Sequence, residues 1–284
     1  MGHAVGIDTD ATPVPQRIRR SPPPFRRATV TAVAPITPRL SRVTLTGADL
    51  AGLVVTEPGA SIRLLLPPTG ADELVIPTWR GNEFLLPDDS KPAIRTFTPS
   101  LVAPDATSLV LDVVRHGRGV ASEWVDRVQI GDDTAVSGPG RGYTVDPTAS
   151  EYLIAGDESA IPAIRQLLAA LPTTMPTHVI VETTDESARV TLPRSSAASL
   201  DWVSSTADAP PGTALADAVI ATPLDPDARV WVAGEAAAVQ RVRRFLFTER
   251  EFPRTRTTIR GYWKDGRAES ASPEAGGDVE RGLG

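Results

Sequence analysis

YLIAGDESAIPAIRQLLAAL, residues Tyr152–Leu171, decides the fold. YLIAG is a continuous apolar run of strand length, the pattern of a strand covered on both faces. SAIPAIRQLLAAL follows, with Ile161, Ile164, Leu167, Leu168 and Leu171 on one helical stripe. Pro162 fits such a helix only in its first turn, where backbone N–H groups lack intrahelical partners. A buried strand running straight into an amphipathic helix is the building unit of a parallel sheet.

Downstream the unit recurs. THVIVETT reads as a strand, LDWVSS as a short strand, GTALADAVIA as a helix and RVWVAGE as a strand. AAAVQRVRRFLFTER reads as a helix with Val239, Val242 and Leu246 inward, and TTIRGYW closes as a strand. LIAGDESAIPAI and WVAGEAAAVQRV share one plan: apolar strand, Ala-Gly, acid, small residues, helix. The two turns are expected to face one crevice at the carboxyl ends of the strands, where open α/β sheets bind ligands. Gly156 and Gly234 are expected to let the backbone approach that ligand closely.

Upstream the period is two. RRATVTAV, SRVTLTG, SIRLLLP, LVIP, IRTFTP and SLVLDVV read as short strands, separated by Pro, Gly, Asp and Asn. A helix over 120–129 (VASEWVDRVQ) interrupts them, and DTAVSGP follows as a strand. Short antiparallel strands with polar turns predict a small closed barrel, which removes exposed edges. The expected organisation is therefore a β-barrel over 25–148 and a smaller parallel-sheet α/β domain over 149–267. A Pro-rich basic arm over 1–24 and a tail over 268–284 read as disordered.

Composition narrows the chemistry. The 284 residues include no Cys, which excludes disulfides, thiol nucleophiles and thiolate-bound zinc or iron–sulfur clusters. The three histidines, His3, His116 and His178, are far apart in sequence, which argues against a multi-His metal site. A net charge of -6 argues against a nucleic-acid surface. No apolar run approaches the ~18 residues of a membrane span, and no signal-peptide core opens the chain, so a cytoplasmic location without stable membrane association is expected.

Several segments together resemble one family. RTFT (Arg95–Thr98) looks like the flavin motif of ferredoxin-reductase-like flavoenzymes. HGRGVASEW (His116–Trp124), GPGR (Gly138–Arg141), AGDESAIPAI (Ala155–Ile164), WVAGEAAAV (Trp231–Val239) and GYWKDGRAE (Gly261–Glu269) resemble, in the same order, the siderophore-interacting proteins, flavin-dependent ferric-siderophore reductases. The resemblance implies FAD in the barrel, NADPH or NADH on the α/β domain and a ferric siderophore as substrate. Electrons would pass from NAD(P)H through FAD to Fe(III), releasing Fe(II), with no acid–base residue required.

The residues suit those roles. Arg95 can fork onto a pyrophosphate, or form a surface ion pair. The resemblance places Thr96, Phe97 and Thr98 beside the flavin. Two departures stand out: Phe97 replaces the usual Tyr, and Ser100 stands where many relatives have Arg. Gly119, Val120, Ala121 and Ser122 open a helix whose N–H groups can hold a phosphate, or form an ordinary capped turn. His116 precedes that turn. Asp157, Glu158, Ser159 and Ala160, with Gly234 and Glu235, form the turns expected to face the nicotinamide, or else cap helices. Trp263 packs on the flavin or plugs the domain interface. Arg63, Lys264 and Arg267 are expected to hold an anionic ferric siderophore. The residues after THVIVETT are Asp185 and Glu186, which leaves NADPH and NADH undecided. Two other readings remain open: a general flavin reductase with another acceptor, and a non-redox protein on an FAD scaffold.

Overall fold

The computed structural model describes residues 21–68, 70–71, 73–103, 105–117, 119–193 and 195–266. The tail read over 268–284, most of the arm read over 1–24, and Arg267 lie outside these residues.

The first domain is built on β1 (Arg26–Thr37), β2 (Leu40–Thr46), β3 (Ile62–Leu65), β6 (Ile94–Phe97), β7 (Leu101–Val102), β8 (Ser108–Val114) and β9 (Asp133–Ser137). They form one seven-stranded antiparallel sheet in the order β6-β3-β9-β1-β2-β8-β7. Its two edges, β6 and β7, are consecutive in sequence and joined only through Thr98–Ser100. Four Cα steps reach at most about 14 Å, whereas six strand spacings would hold the edges of a flat sheet about 29 Å apart. The sheet must therefore curl into a barrel. The chain links its two edges, and no ladder pairs β6 with β7.

Alternation fills the interior: Val43 and Leu45 of β2, Ile62 and Leu64 of β3, and Leu109, Leu111 and Val113 of β8 are buried together. Helix α1 (Gly119–Arg127) closes one side with Trp124 and Val125. The stretch LVIP is not a strand. Leu74 instead joins a satellite cluster with Leu65, Phe84 and Ile94. Regular pairing begins at β4 (Thr78–Arg80), which forms a hairpin with β5 (Glu83–Leu85) across Gly81-Asn82, both at positive φ. That is the backbone of a type I′ turn.

The second domain holds β10 (Tyr152–Asp157), α2 (Ile161–Ala170), β11 (Thr177–Thr183), β12 (Ala198–Ser204), α3 (Thr213–Ala221), β13 (Arg229–Glu235), α4 (Ala236–Arg244) and β14 (Thr257–Trp263). The strands are all parallel, in the order β12-β11-β10-β13-β14. Counted from β10 this is 3-2-1-4-5, so the order reverses between β10 and β13, and a crevice opens outside their carboxyl ends. Pro162 sits in the first turn of α2, as its chemistry requires. Ile161, Ile164 and Leu167 of α2 cover one face of the sheet. Leu215 and Val219 of α3, with Val239 and Val242 of α4, cover the other. Each such fully buried side chain contributes roughly 1.5–3 kcal/mol.

Candidate cofactor cleft between the domains

The carboxyl ends of β10 and β13 deliver the acid turns legible in the sequence. Asp157 is 7% exposed. Its Oδ1 accepts from the Ser159 backbone N–H at 2.9 Å and from the Ser159 hydroxyl. Its Oδ2 accepts from the Trp263 indole N–H at 2.7 Å. Burial pushes the carboxyl up to about 6; the bonds from Ser159 and Trp263 pull it down, and nearby Glu182 pushes it up further.

The glycines of these turns lie close against other chain segments. A Cβ on Gly234 would lie 2.7 Å from Asp157 Oδ2. A Cβ on Gly156 would lie 2.5 Å from Ala160 Cβ and 2.9 Å from the Ala233 carbonyl oxygen. Both positions are bare so that protein atoms can pack there. The approach they permit among the described residues is between neighbouring chain segments.

The other acids are similarly engaged. Glu158 accepts from Arg39 Nε at 3.0 Å, and from the Thr184 backbone N–H at 2.8 Å and hydroxyl at 2.9 Å. The Arg39–Glu158 pair crosses from the barrel to the α/β domain. Glu235 caps α4, accepting from the N–H groups of Ala237 (2.6 Å) and Ala238 (2.9 Å), and accepts from the Asp265 N–H at 3.2 Å. It thereby holds the turn that follows Trp263. Ala160 is fully buried against Gly156.

On the barrel side, β6 lies beside β3 with Thr96 opposite Arg63, Arg95 opposite Leu64 and Phe97 opposite Ile62. Opposed residues share a face, so Thr96 and Arg63 point together, away from the core-facing Phe97. Arg95 is half-buried and donates to the Ile94 carbonyl at 2.8 Å. Thr98 is buried and its side chain hydrogen-bonds the Tyr262 phenol. Burial nonetheless pushes that phenol up.

Gly117 and Gly119 both lie at left-handed φ, +71° and +78°. Among the described residues nothing meets the Cβ position of Gly117 within 4 Å, and only the His116 ring, at 3.8 Å, meets that of Gly119. Ser122 is fully buried and its oxygen accepts from the N–H groups of His116 (3.2 Å) and Gly117 (3.0 Å). The hydroxyl shapes the turn that leads into α1, with Val120 and Ala121 following at the helix start. The result, among the described residues, is a glycine-bearing backbone turn at a helix N-terminus, suited to an anionic group such as a flavin pyrophosphate. Ser100 adds a buried hydroxyl with no partner among the described residues. Both features fit FAD.

His116 closes the cleft. Its ring stacks on Trp263, 6.4 Å between centroids and 19° between planes. Burial and the Arg39 charge hold the imidazole below its ordinary range, against the opposing pull of Glu158. Lys264 follows Trp263 and is exposed, and Arg63 is half-buried on β3. Arg267 lies outside the described residues.

Several residues that build this cleft escaped the sequence reading. Gln166 on α2 donates to the Pro99 carbonyl at 2.5 Å and accepts from the Gly59 N–H at 2.7 Å. Arg260 donates to the Gly142 carbonyl at 2.9 Å. Asp112, its side chain fully buried, takes a bidentate Arg42 (2.8 and 2.9 Å) and Arg165 from α2 at 3.4 Å. The barrel partners of these side chains are scores of residues away in sequence, so no local pattern announces them.

A curled antiparallel sheet facing a 3-2-1-4-5 parallel sheet defines the ferredoxin-reductase-like fold. Residues 29–143 match the siderophore-interacting FAD-binding domain and residues 149–266 the siderophore-interacting protein domain. The chain belongs to the siderophore-interacting protein family. It is similar to a siderophore utilization protein from T. fusca of known crystal structure, with 30% identity and a TM-score of 0.78 over 90% of this chain and 98% of that one. It is 30% identical to the NADPH-dependent ferric-chelate reductase of Escherichia coli over 88% of this chain and 96% of that one. It is 29% identical to the ferric vibriobactin reductase of Vibrio cholerae over 84% and 89%.

Proposed function

We propose that the protein is an NAD(P)H-dependent reductase that passes electrons through FAD to the Fe(III) of a ferric siderophore. One observation carries the reading. The His116–Trp263 stack joins the anion cradle before α1 to the strand that borders the acid turns of β10 and β13, so both cofactor-type turns open on one cleft. The named activities of the E. coli and V. cholerae relatives support it.

Bound FAD would supply the exchange between two-electron nicotinamide chemistry and one-electron iron chemistry. The chain's own residues orient and shield. Arg95 and the backbone of Gly117 and Gly119–Ala121 would hold the pyrophosphate, with Thr96 and Thr98 at the ring site and Phe97 supporting it from the core side. Asp157 and Ser159 would border the nicotinamide. Arg63, Lys264 and Arg267 would attract an anionic ferric complex. Iron leaves because hard oxygen ligands hold Fe(II) far less tightly than Fe(III). Among the described residues no helix is long and apolar enough to cross a membrane. A cytoplasmic location, where reduced nicotinamide is plentiful, suits the reading.

Anaerobic stopped-flow on the FAD-loaded protein tests it. NADH or NADPH should bleach the flavin absorbance, and ferric siderophores should restore it while Fe(II) appears in a chelator trap. Restoration by quinones but by no ferric siderophore would make the protein a general flavin reductase. A chain that takes up no FAD would leave only a scaffold role.

A further inference from the structure

The reading above leaves open whether the dinucleotide carries a 2′-phosphate. In a sheet of this order the adenosine ribose lies past the carboxyl end of the second strand, where an acid accepts from a free 2′-hydroxyl or an Arg accommodates a 2′-phosphate. Here that strand is β11, neighbour to β10. Its terminal acid, Glu182, is 5% exposed, and its two oxygens accept from the N–H groups of Gly212 (2.9 Å) and Leu215 (2.7 Å). Glu182 is spent on the start of α3. Thr183 follows, 1% exposed, with a hydroxyl that has no partner among the described residues.

The exposed residues at this strand end are Thr184, Asp185, Glu186 and Ser187. Asp185 uses one oxygen, Oδ1, for the Ser187 N–H (2.7 Å) and hydroxyl (2.6 Å). Those bonds hold its carboxyl below the usual range, so it is ionised at neutral pH. The end of β12 runs alongside, tied by the Ser205 N–H to the Thr183 carbonyl at 3.0 Å. It continues into Thr206 and Asp208, hydroxyl and carboxylate again. The nearby cations are engaged. Arg189 pairs with Glu186 at 3.1 Å, and Arg39 is held by Glu158 at 3.0 Å. A 2′-phosphate placed here would meet carboxylates with no uncommitted cation among the described residues.

We infer that the protein selects NADH over NADPH, and that Asp185 and Glu186 are the discriminating residues. The inference rests on the dinucleotide-binding reading of the α/β domain. Family membership does not supply it, since the E. coli relative is named for NADPH.

Calorimetric titration of the FAD-loaded protein with ADP-ribose and with 2′-phospho-ADP-ribose tests binding without turnover. ADP-ribose should bind about tenfold or more tightly, equivalent to ~1.4 kcal/mol. Asp185→Asn with Glu186→Gln keeps the hydrogen-bonding shapes and should narrow the gap, mainly by strengthening the phosphorylated ligand. Ser205→Arg, which adds a cation beside Thr183, should narrow it further. Equal or tighter binding of the phosphorylated ligand by the unaltered protein would overturn the selectivity while leaving the dinucleotide site standing. An unchanged gap in the double variant would remove Asp185 and Glu186 as its cause. Binding of neither ligand, with no bleaching by either nicotinamide, would overturn the dinucleotide reading itself.

Discussion

At Asp157 one carboxylate is asked to do two things. It caps the turn into α2 through Ser159, and it holds the indole of Trp263 across the sheet. Desolvation outweighs those bonds, and the group titrates near 6 in the fold against ~3.9 in an unfolded chain. The folded state therefore binds more protons than the unfolded one between those values, so stability falls as pH rises from about 4 to about 6. Two pKa units correspond to at most about 3 kcal/mol. Asp157→Asn should abolish that slope in urea melts taken across this window. It should also shift Trp263 fluorescence, because an amide N–H would then face the indole N–H. A slope that survives the substitution would assign the titration to another group.

Two other residues give sharp tests. Gly119 holds φ at +78°, where an L side chain costs roughly 1–2 kcal/mol. Gly119→Ala should impair flavin retention after dialysis with secondary structure intact. Arg95→Ala should weaken FAD binding by roughly 1.5–3 kcal/mol, the range for hydrogen bonds to a charged group. Unchanged flavin retention in either variant would remove that residue from the cofactor site.

Among the elements, those whose side-chain period is strong were legible in the sequence. The apolar run of β10, the stripe of α2 and the alternation of β2 and β8 all emerged, because β10 is buried on both faces and each of the others buries one face on one core. The β4–β5 hairpin was not legible. Its turn is Gly-Asn, the reverse of the usual Asn-Gly order, and its partners Trp79 and Phe84 pack on a small outlying cluster. Leu74–Pro77 misled because Leu and Ile there bury into that cluster without pairing. The acid turns were legible, but the packing of Asp157 beside Gly234 and of Ala160 beside Gly156 was not, since sequence does not say which atoms fill the space beside a glycine. Helix α2 illustrates a contact no pattern foretells: Gln166 reaches the carbonyl of Pro99, one residue past the Thr98 that Tyr262 holds. Gln166→Ala removes both of its hydrogen bonds and should cost about 1–3 kcal/mol. Differential scanning calorimetry should show the single transition broadening or splitting as the two domains uncouple.

At the scale of the whole molecule, the charge that matters is local. The chain carries -6 overall, yet Lys264 is exposed beside Trp263 and Arg63 lies on β3 opposite Thr96. Neither forms an ion pair among the described residues. Lys264→Ala with Arg63→Ala should slow reduction of an anionic ferric siderophore several-fold at low salt, and little by ~0.1 M, where the Debye length has shrunk to ~10 Å. A neutral quinone should be reduced at the unaltered rate. Equal slowing of both acceptors would mean that these cations serve the flavin or the fold.

The open seam of the barrel has a consequence for how the two domains depend on each other. The staves β6 and β7 share no ladder, and two of the three residues that bridge them, Thr98 and Pro99, are held by Tyr262 and Gln166 from the α/β domain. That domain acts as the hoop around the cask. Cut away, it would leave two unpaired strand edges, tied only by the short Thr98–Ser100 link, one of them carrying the exposed Leu101, and each a template for pairing with another chain. A barrel fragment expressed alone should therefore self-associate, whereas the joined pair need not.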